Sequence, residues 1–321
     1  MHLHIKQAMR NDEARPMSRG ANRPGPSGEC PATGDAHRLQ VEARFPEGPP
    51  RSVVLMVSGI TGVDPGAERP VLDLLSDAGH AVVLMQPGRT VWSAGRRGDI
   101  RDLQGLLGDY ADFAAETACC FPGIPLVIFG HSMGGAFALA TAVAIQDRAR
   151  LAGVVLVNPA FRYRAMKGAT PRFRDYLKFA AYALFAPGVP VVDMAGDPAQ
   201  LQEPEDRAEA IERRANPRLV HVFSLRTLIG ARKVMAACPV HAAKLDLPLF
   251  LVEGGKDRLI DPAGTQAIFQ AWKGPEKMLY RSEAAGHGRS AILAALPLLV
   301  RWIADLSPVW ARPASPQAGQ S

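Results

Sequence analysis

The sequence predicts an α/β fold in which a mostly parallel β-sheet is flanked by helices and carries an inserted helical cap. Short, continuous apolar runs alternate along the chain with segments of helical spacing. This alternation predicts parallel strands joined by crossover helices. Between about residues 159 and 245 the alternation stops. An interval of that length is too long for a simple loop, so it predicts the cap.

Apolar runs and helical spacing predict the individual elements. Most of the strand segments are apolar at every position, which is typical of strands that helices cover on both faces. They are Val53–Val57, Ala81–Met85, Leu126–Phe129, Val154–Val157, Leu249–Val252 and Lys277–Tyr280. Between them, apolar residues recur every three or four positions and predict helices. These are Pro70–Ala78, Asp99–Thr117, Ala136–Ile145, Ala263–Trp272 and Ile292–Leu306.

Two segments differ in composition from the predicted α/β domain, which we assign to residues 36–321. Residues 1–35 are rich in Arg, Pro, Gly and Ser with almost no aliphatic periodicity, so we expect a disordered tail. The cap, at about residues 159–245, is aromatic and basic: Asn158–Leu245 holds 14 basic and 8 acidic residues. Its aromatic side chains can pack the cap itself or line a pocket, and its basic side chains can be solvated or meet anionic groups.

The composition excludes several classes of protein. Of the 321 residues, 47% are hydrophobic and 21% are charged, which excludes wholesale disorder. No apolar stretch approaches the ~18 to 20 residues that span a bilayer, and the start of the chain lacks the apolar run of a secretory signal. We therefore expect a soluble, cytosolic protein. No nucleic-acid motif accompanies the net charge of +6, so no nucleic-acid partner is expected, but the basic cap would suit peripheral contact with an anionic membrane surface.

The cysteines and histidines give no reason to expect a metal or a cofactor. The four cysteines include no C-x-x-C pair, so neither a zinc site nor a redox site is predicted. His2 and His4 could bind a metal, but two histidines in a flexible terminus are a weak signal. The sequence indicates no oligomeric state.

A G-x-S-x-G motif carries the main chemical signal. Gly130-His131-Ser132-Met133-Gly134 comes directly after the strand Leu126–Phe129 and before the helix that starts near Ala136. A serine in so sharp a turn between strand and helix stands clear at the end of the strand, and its neighbours two positions away must be small. Ser132 is therefore the candidate nucleophile.

A serine nucleophile needs a histidine base and a carboxylate that orients it. His287 lies between the last strand and the last helix, at the same edge of the predicted sheet as Ser132. Asp257 follows the strand Leu249–Val252 and is the preferred acid. Asp261 is the alternative, but it precedes a proline and is expected to cap the next helix. The resulting order Ser, Asp, His is the one expected of this fold rather than of chymotrypsin-like or subtilisin-like proteases.

Acyl transfer also needs N–H donors for the oxyanion. One is the backbone N–H of Met133, the residue after the nucleophile. The other is expected from the loop Ser58–Gly62, where the N–H of Ile60 is the preferred donor and that of Thr61 the alternative.

These motifs resemble those of α/β-hydrolases of the monoacylglycerol lipase, or lysophospholipase, type. The resemblance covers roughly Val41 to Leu306 and depends on the motifs Gly130–Gly135, Arg96–Asp112, Gly254–Arg258 and Gly286–His287. It implies an α/β-hydrolase fold, hydrolysis of esters of glycerol or related lipids, no cofactor, and a cap inserted between two strands of the sheet. The chain departs from the family at two places: Ser58-Gly59 replaces the usual His-Gly, and Gln86 replaces the Asp that precedes an Arg-Gly-x-Gly run.

The expected function is therefore that of a serine hydrolase. It would cleave carboxylic esters with an apolar acyl chain, such as monoacylglycerols or lysophospholipids, through Ser132, His287 and Asp257. The same triad could instead support hydrolysis of a C–C bond, hydrolysis of a peptide, or acyl transfer. A non-catalytic lipid-binding role is less expected, because all three triad positions are filled.

Overall fold

A computed structural model of the chain describes residues 39–88, 96–164, 173–195, 198–200 and 204–310. The predicted tail at residues 1–35 lies outside these ranges. Within the described residues the main sheet has seven strands, which are β1 Leu39–Arg44, β2 Val53–Val57, β3 Ala81–Pro87, β4 Leu126–His131, β5 Leu151–Val157, β8 Leu249–Gly254 and β9 Lys277–Ser282. Two short strands, β6 Pro190–Asp193 and β7 Val222–Ser224, form a separate antiparallel pair.

The helices of the described residues alternate with these strands. They are α1 Pro65–Asp77, α2 Leu103–Cys120, α3 Met133–Ile145, α4 Phe173–Phe185, α5 Pro204–Ala215, α6 Leu225–Ala242, α7 Pro262–Ala271 and α8 Arg289–Trp310. A short 3₁₀ turn covers Pro198–Gln200.

The main sheet is parallel except at one edge, which confirms the predicted fold class. Its strand order is β1-β3-β2-β4-β5-β8-β9, and only β1 runs antiparallel, to β3. Strand β1 was not predicted, because an edge strand is partly exposed and its sequence LQVEAR lacks a continuous apolar run. The five residues of β2 are all buried, as expected for a strand with helices on both faces.

Two apolar layers enclose the sheet. One contains buried residues of α2, α3, α6 and α7, and the other contains buried residues of α1 and α8. Alternating residues of β2, β3, β4, β5 and β8 contribute to both layers, as Val53 and Val54 of β2 do. Helix α6 lies within the interval predicted as cap, yet its buried residues share the layer of α2 and α3. The extent of the cap stays a prediction.

Two helix starts differ from the predicted ones because polar groups cap them. Helix α1 begins at Pro65, since the Asp64 carboxylate accepts the backbone N–H of Gly66 at 3.2 Å. Helix α2 begins at Leu103 rather than at Asp99, since Asp102 caps it through the N–H of Gly105 at 2.8 Å.

The Asp99 side chain has another role in the fold. It is fully buried and pairs with the Arg226 guanidinium of α6, and its Oδ1 accepts the Ser224 hydroxyl at 2.7 Å. A charged group without a partner could hardly be buried there, so this ion pair joins the α2 entry to α6.

Candidate active site

The G-x-S-x-G segment forms a strained turn between β4 and α3. Ser132 has φ 54° and ψ −127°, a region that a non-glycine residue rarely occupies. A Cβ atom on Gly130 would collide with the carbonyl oxygen of Gly134, and one on Gly134 would collide with the carbonyl oxygen of Val57. Both flanking glycines are therefore required by the packing of the turn, as the sequence indicated.

The structure brings Ser132, His287 and Asp257 into one hydrogen-bonded chain. His287 Nε2 lies 2.9 Å from Ser132 Oγ, and His287 Nδ1 lies 2.8 Å from Asp257 Oδ2. Since a carboxylate only accepts, Nδ1 carries the hydrogen and Nε2 is left to accept the serine hydroxyl proton. The arrangement is thus able to remove a proton from Ser132.

The Asp257 carboxylate is held in its ionised form by its partners. Burial by itself raises the pKa of this carboxyl, but the bonds from His287 and from the backbone N–H groups of Ile260 and Leu259 outweigh it, so the net pKa is lowered. Those two N–H groups donate to Oδ1 at 2.9 Å and 2.8 Å. Oδ2 is left for His287, which fixes the direction of the imidazole.

The alternative acid, Asp261, serves α7 instead. Its Oδ1 accepts the backbone N–H of Ala263 at 3.0 Å, and its Oδ2 pairs with Arg162 Nε at 2.9 Å. Of the two candidate carboxylates, only Asp257 contacts His287.

The predicted oxyanion loop lies against the start of α3. A Cβ atom on Gly59 would come within 2.9 Å of Met133 Cβ and 3.2 Å of the Gly134 nitrogen, so only glycine allows this close approach. The Ile60 side chain is buried, and the Thr61 carbonyl accepts the N–H of Val220 at 3.0 Å. The loop and the residue after Ser132 are therefore neighbours, but the choice of Ile60 and Met133 as N–H donors stays a prediction.

Of the two departures from the family pattern, Ser58-Gly59 lies within this loop and Gln86 contacts it. Gln86 Oε1 accepts the backbone N–H of Val63 at 2.9 Å. The same oxygen would lie 3.1 Å from a Cβ atom on Gly62, whose φ is +72°. The Ser58 carbonyl accepts the Tyr110 hydroxyl at 3.3 Å. Gln86 thus supports the far end of the predicted oxyanion loop, through a contact between residues 23 apart that no local pattern could predict.

Two further polar residues surround His287 and were not assigned a role from the sequence. His131 Nε2 donates to the His287 carbonyl at 2.8 Å, and the Asn158 amide donates to the carbonyls of Gly286 and His287. Burial, and then the charge of His287, lower the pKa of His131 to about 4, so His131 is neutral near pH 7. The only local signal for Asn158 is its position, a polar residue directly after the buried strand β5.

A second serine–histidine contact lies at the opposite edge of the sheet. Ser52 Oγ is 2.9 Å from His80 Nδ1, and both side chains are buried at the amino ends of β2 and β3. His80 Nε2 has no hydrogen-bond partner within the described part of the chain. Without a carboxylate and without access to solvent, this pair lacks what acyl transfer requires.

His80 predicts an acid-sensitive fold. Burial, with a smaller effect of Arg51, lowers the pKa of His80 from 6.5 to about 4. Between those pH values the unfolded chain binds a proton that the folded chain does not, so stability falls as the pH falls. We expect the wild type to lose about 2 kcal/mol more free energy of unfolding than His80→Gln between pH 7 and pH 4.5. Urea unfolding at both pH values measures this, and equal losses would contradict it.

The interval predicted as cap contacts the loops around the site. Glu209 of α5 accepts the backbone N–H of Arg289 at 2.8 Å, two residues after His287. Arg97 donates to the carbonyls of Pro217 and Arg218 at 2.6 Å and 2.7 Å. Arg164 Nε donates to the Ile260 carbonyl at 2.9 Å, in the loop that holds Asp257. These bonds hold the interval against both the histidine loop and the acid loop.

Neither a metal site nor a membrane span is found in the described ranges. No group of three or more His, Cys, Asp or Glu side chains there could hold a metal ion. No helix among those residues is long and apolar enough to cross a bilayer.

Comparisons with known proteins identify the family of this chain. Residues 48–292 match the family model described as serine aminopeptidase, S33. The chain is 30% identical to a monoacylglycerol lipase of Mycolicibacterium smegmatis over 236 residues, which are 72% of this chain and 79% of that protein. It is 26% identical to the human monoglyceride lipase over 61% of this chain and 62% of that protein.

A solved structure supports the fold. The crystal structure of a soluble variant of monoglyceride lipase from Saccharomyces cerevisiae, in complex with a substrate analog, superposes with a TM-score of 0.70 at 19% identity, over 89% of this chain and 99% of that chain. The match to the family model and the lipase relatives confirm the prediction of a monoacylglycerol lipase-like serine ester hydrolase. The chain belongs to the α/β-hydrolase family described as serine aminopeptidase, S33.

Proposed function

We propose that this chain hydrolyses carboxylic esters with an apolar acyl chain, of the monoacylglycerol or lysophospholipid class, through Ser132, His287 and Asp257. One observation carries the proposal: the continuous hydrogen-bond chain from Asp257 through His287 to Ser132, with heavy-atom distances of 2.8 Å and 2.9 Å. An idle serine would have no reason to occupy a strained backbone conformation beside a histidine that is itself oriented by a carboxylate.

In the first half-reaction Ser132 Oγ attacks the ester carbonyl while His287 Nε2 takes the hydroxyl proton. The N–H groups of Met133 and Ile60 hold the resulting oxyanion. Asp257 stabilises the imidazolium, which then gives its proton to the departing alcohol. In the second half-reaction water gives a proton to His287 and attacks the acyl-enzyme, and Ser132 regains its proton as the carboxylic acid leaves.

The substrate class is supported by the relatives and by the surface of the cap. Two relatives are named as monoacylglycerol or monoglyceride lipases. Helix α4 exposes large apolar side chains, which suits contact with acyl chains or a lipid surface. They are Leu177, Phe179, Tyr182, Leu184 and Phe185.

We further propose that the cap meets an anionic membrane surface. Leu184 and Phe185 are 76% and 82% exposed at the carboxyl end of α4, and the cap interval has an excess of basic over acidic residues. Apolar side chains that enter the interface, with basic groups near the phosphates, are the combination that favours peripheral binding. Residues 159–245 would then act as a cap that receives the acyl chain from the membrane.

The chain-length dependence of ester hydrolysis tests the substrate class. With p-nitrophenyl esters of two to sixteen carbons, we expect kcat/KM to reach its maximum at medium or long acyl chains, because each buried methylene adds about 0.8 kcal/mol of transfer free energy. Hydrolysis of a monoacylglycerol in the same preparation would extend the result to the natural class. Activity on the acetate alone would contradict an apolar acyl site.

Peptide hydrolysis is the second candidate, because the matching family model is described as a serine aminopeptidase. Aminoacyl p-nitroanilides, assayed beside the esters, separate the two reactions.

The same assays distinguish the other uses of the triad. Product that increases with an added alcohol would indicate acyl transfer, and cleavage confined to carbon–carbon bonds would indicate a C–C bond hydrolase. If a fluorophosphonate probe left the folded protein unlabelled, a non-catalytic lipid-binding role would take precedence.

A further inference from the structure

Asn158 occupies the junction of the three strands that bear the candidate site. It follows β5 directly and lies between the carboxyl ends of β4 and β8. Its side chain is 3% exposed, and its φ is +40°. Asparagine tolerates positive φ better than most residues, yet a buried amide also needs hydrogen-bond partners.

Both polar atoms of the Asn158 side-chain amide have hydrogen-bond partners. Oδ1 accepts the backbone N–H of Gly254 at 2.7 Å, and Nδ2 donates to the carbonyls of Gly286 and His287 at 2.8 Å and 3.1 Å. An N–H and two carbonyls leave one orientation of the amide, because the oxygen cannot donate and the nitrogen cannot accept. The side chain therefore joins the end of β8, three residues before Asp257, to the loop that carries His287.

A second side chain supports the same carbonyl. His131 Nε2 donates to the His287 oxygen at 2.8 Å, from the residue directly before Ser132. One carbonyl oxygen therefore accepts two side-chain N–H groups, one from the nucleophile turn and one from the β5 terminus. Such a network fixes the backbone of His287 relative to Ser132 and Asp257, the two residues that its imidazole contacts.

We propose that Asn158 is a positioning residue that, together with His131, holds the His287 main chain at the distance from Ser132 and Asp257 that proton transfer requires. This inference rests on the proposed triad. Asn158 does not contact the reacting atoms itself. It acts through His287. If the imidazole moved by about 1 Å, the rate of the catalysed reaction would fall by about 10²-fold.

Two substitutions separate this role from a backbone role. Asn158→Asp keeps the size and the tolerance of positive φ, but it turns both donated bonds into contacts between a carboxylate and carbonyl oxygens. Asn158→Gly keeps the backbone freedom and removes all three bonds. We expect both variants to lose about 10²-fold in kcat, with KM for a p-nitrophenyl ester within about threefold of wild type.

The assay counts active sites before it measures turnover. Labelling by a fluorophosphonate probe, with the site mapped by mass spectrometry, gives the fraction of each preparation that is competent, and kcat is expressed per labelled site. If the wild type were not labelled at Ser132, the proposed function would fail. If the wild type were labelled and either variant kept wild-type kcat per site, the positioning role would be overturned. A purely structural residue would lower only the labelled fraction.

A double-variant comparison tests the shared carbonyl. His131→Phe keeps a ring and removes the donor, and we expect it to lower kcat per labelled site as well. Because both donors converge on one oxygen, the double variant with Asn158→Asp should lose less than the product of the two single losses. A loss equal to that product would contradict joint action through His287.

Discussion

Replacement of Ser132 by alanine is expected to lower kcat/KM for a p-nitrophenyl ester by roughly 10³-fold or more. The hydroxyl group that His287 Nε2 contacts at 2.9 Å is the only group removed, and alanine adds no bulk to the turn. Loss of the nucleophile leaves only the contribution of substrate binding and oxyanion donors. Steady-state kinetics, with circular dichroism to check the fold, measure the loss, and the labelled peptide should disappear from fluorophosphonate digests.

Ser52→Ala provides the matched control. Ser52 is also a buried serine hydrogen-bonded to a histidine, His80, at 2.9 Å, but it lies at the amino edge of the sheet. Its variant should keep turnover within about threefold, even if the fold loses about 1 kcal/mol from the missing hydrogen bond. Near-normal turnover in Ser132→Ala, or a large loss of turnover in Ser52→Ala, would contradict the assignment of the nucleophile.

Asp257→Asn is the second large effect, with an expected loss of about 10³- to 10⁴-fold in kcat. The asparagine can still accept the N–H groups of Leu259 and Ile260 through its oxygen, so the acid loop should keep its shape. Its NH₂ group would then face His287 Nδ1 and force that nitrogen to accept. The proton would move to Nε2, and the imidazole could no longer take the proton of Ser132.

Asp261→Asn is the paired control, because asparagine is as good a helix cap as aspartate. Only the ion pair with Arg162 is lost, and the Arg162 side chain is 66% exposed, so stability should change by less than about 1 kcal/mol. We expect its kcat to stay within about threefold of wild type. The same loss in both variants, or turnover within tenfold of wild type in Asp257→Asn, would show that the acid is wrongly assigned.

Several features of the site follow from short stretches of sequence. The turn at Ser132 needs glycines on either side, and a buried apolar strand ends directly before it. Because the carboxyl ends of parallel strands meet at one edge, the loops that follow β8 and β9 could be expected to bring Asp257 and His287 towards Ser132. The structure brings these three residues into contact.

Other features depend on residues that are far apart in the chain. The bonds from Asn158 to Gly286, from Gln86 to Val63 and from Ser224 to Asp99 join residues 128, 23 and 125 apart. None has a local periodicity or a turn motif, since an amide or a carboxylate looks the same in sequence whether it is buried or solvated. The antiparallel edge strand β1 was missed for a related reason, because its partly exposed sequence depends on its pairing with β3.

Local sequence patterns were enough to predict the layered α/β architecture, the sharp turn at Ser132 and the chain order of Ser132, Asp257 and His287. These depend on interactions between near neighbours, namely apolar periodicity, backbone conformation at glycines and the capping of helices. The side chains that hold His287 and the predicted oxyanion loop could be identified from the tertiary structure alone. The tertiary structure also shows that Asp257, the acid preferred from the sequence, contacts the histidine and that Asp261 does not. These contacts are fixed by burial, because a polar group is compelled to find its particular partner only after packing has removed it from water.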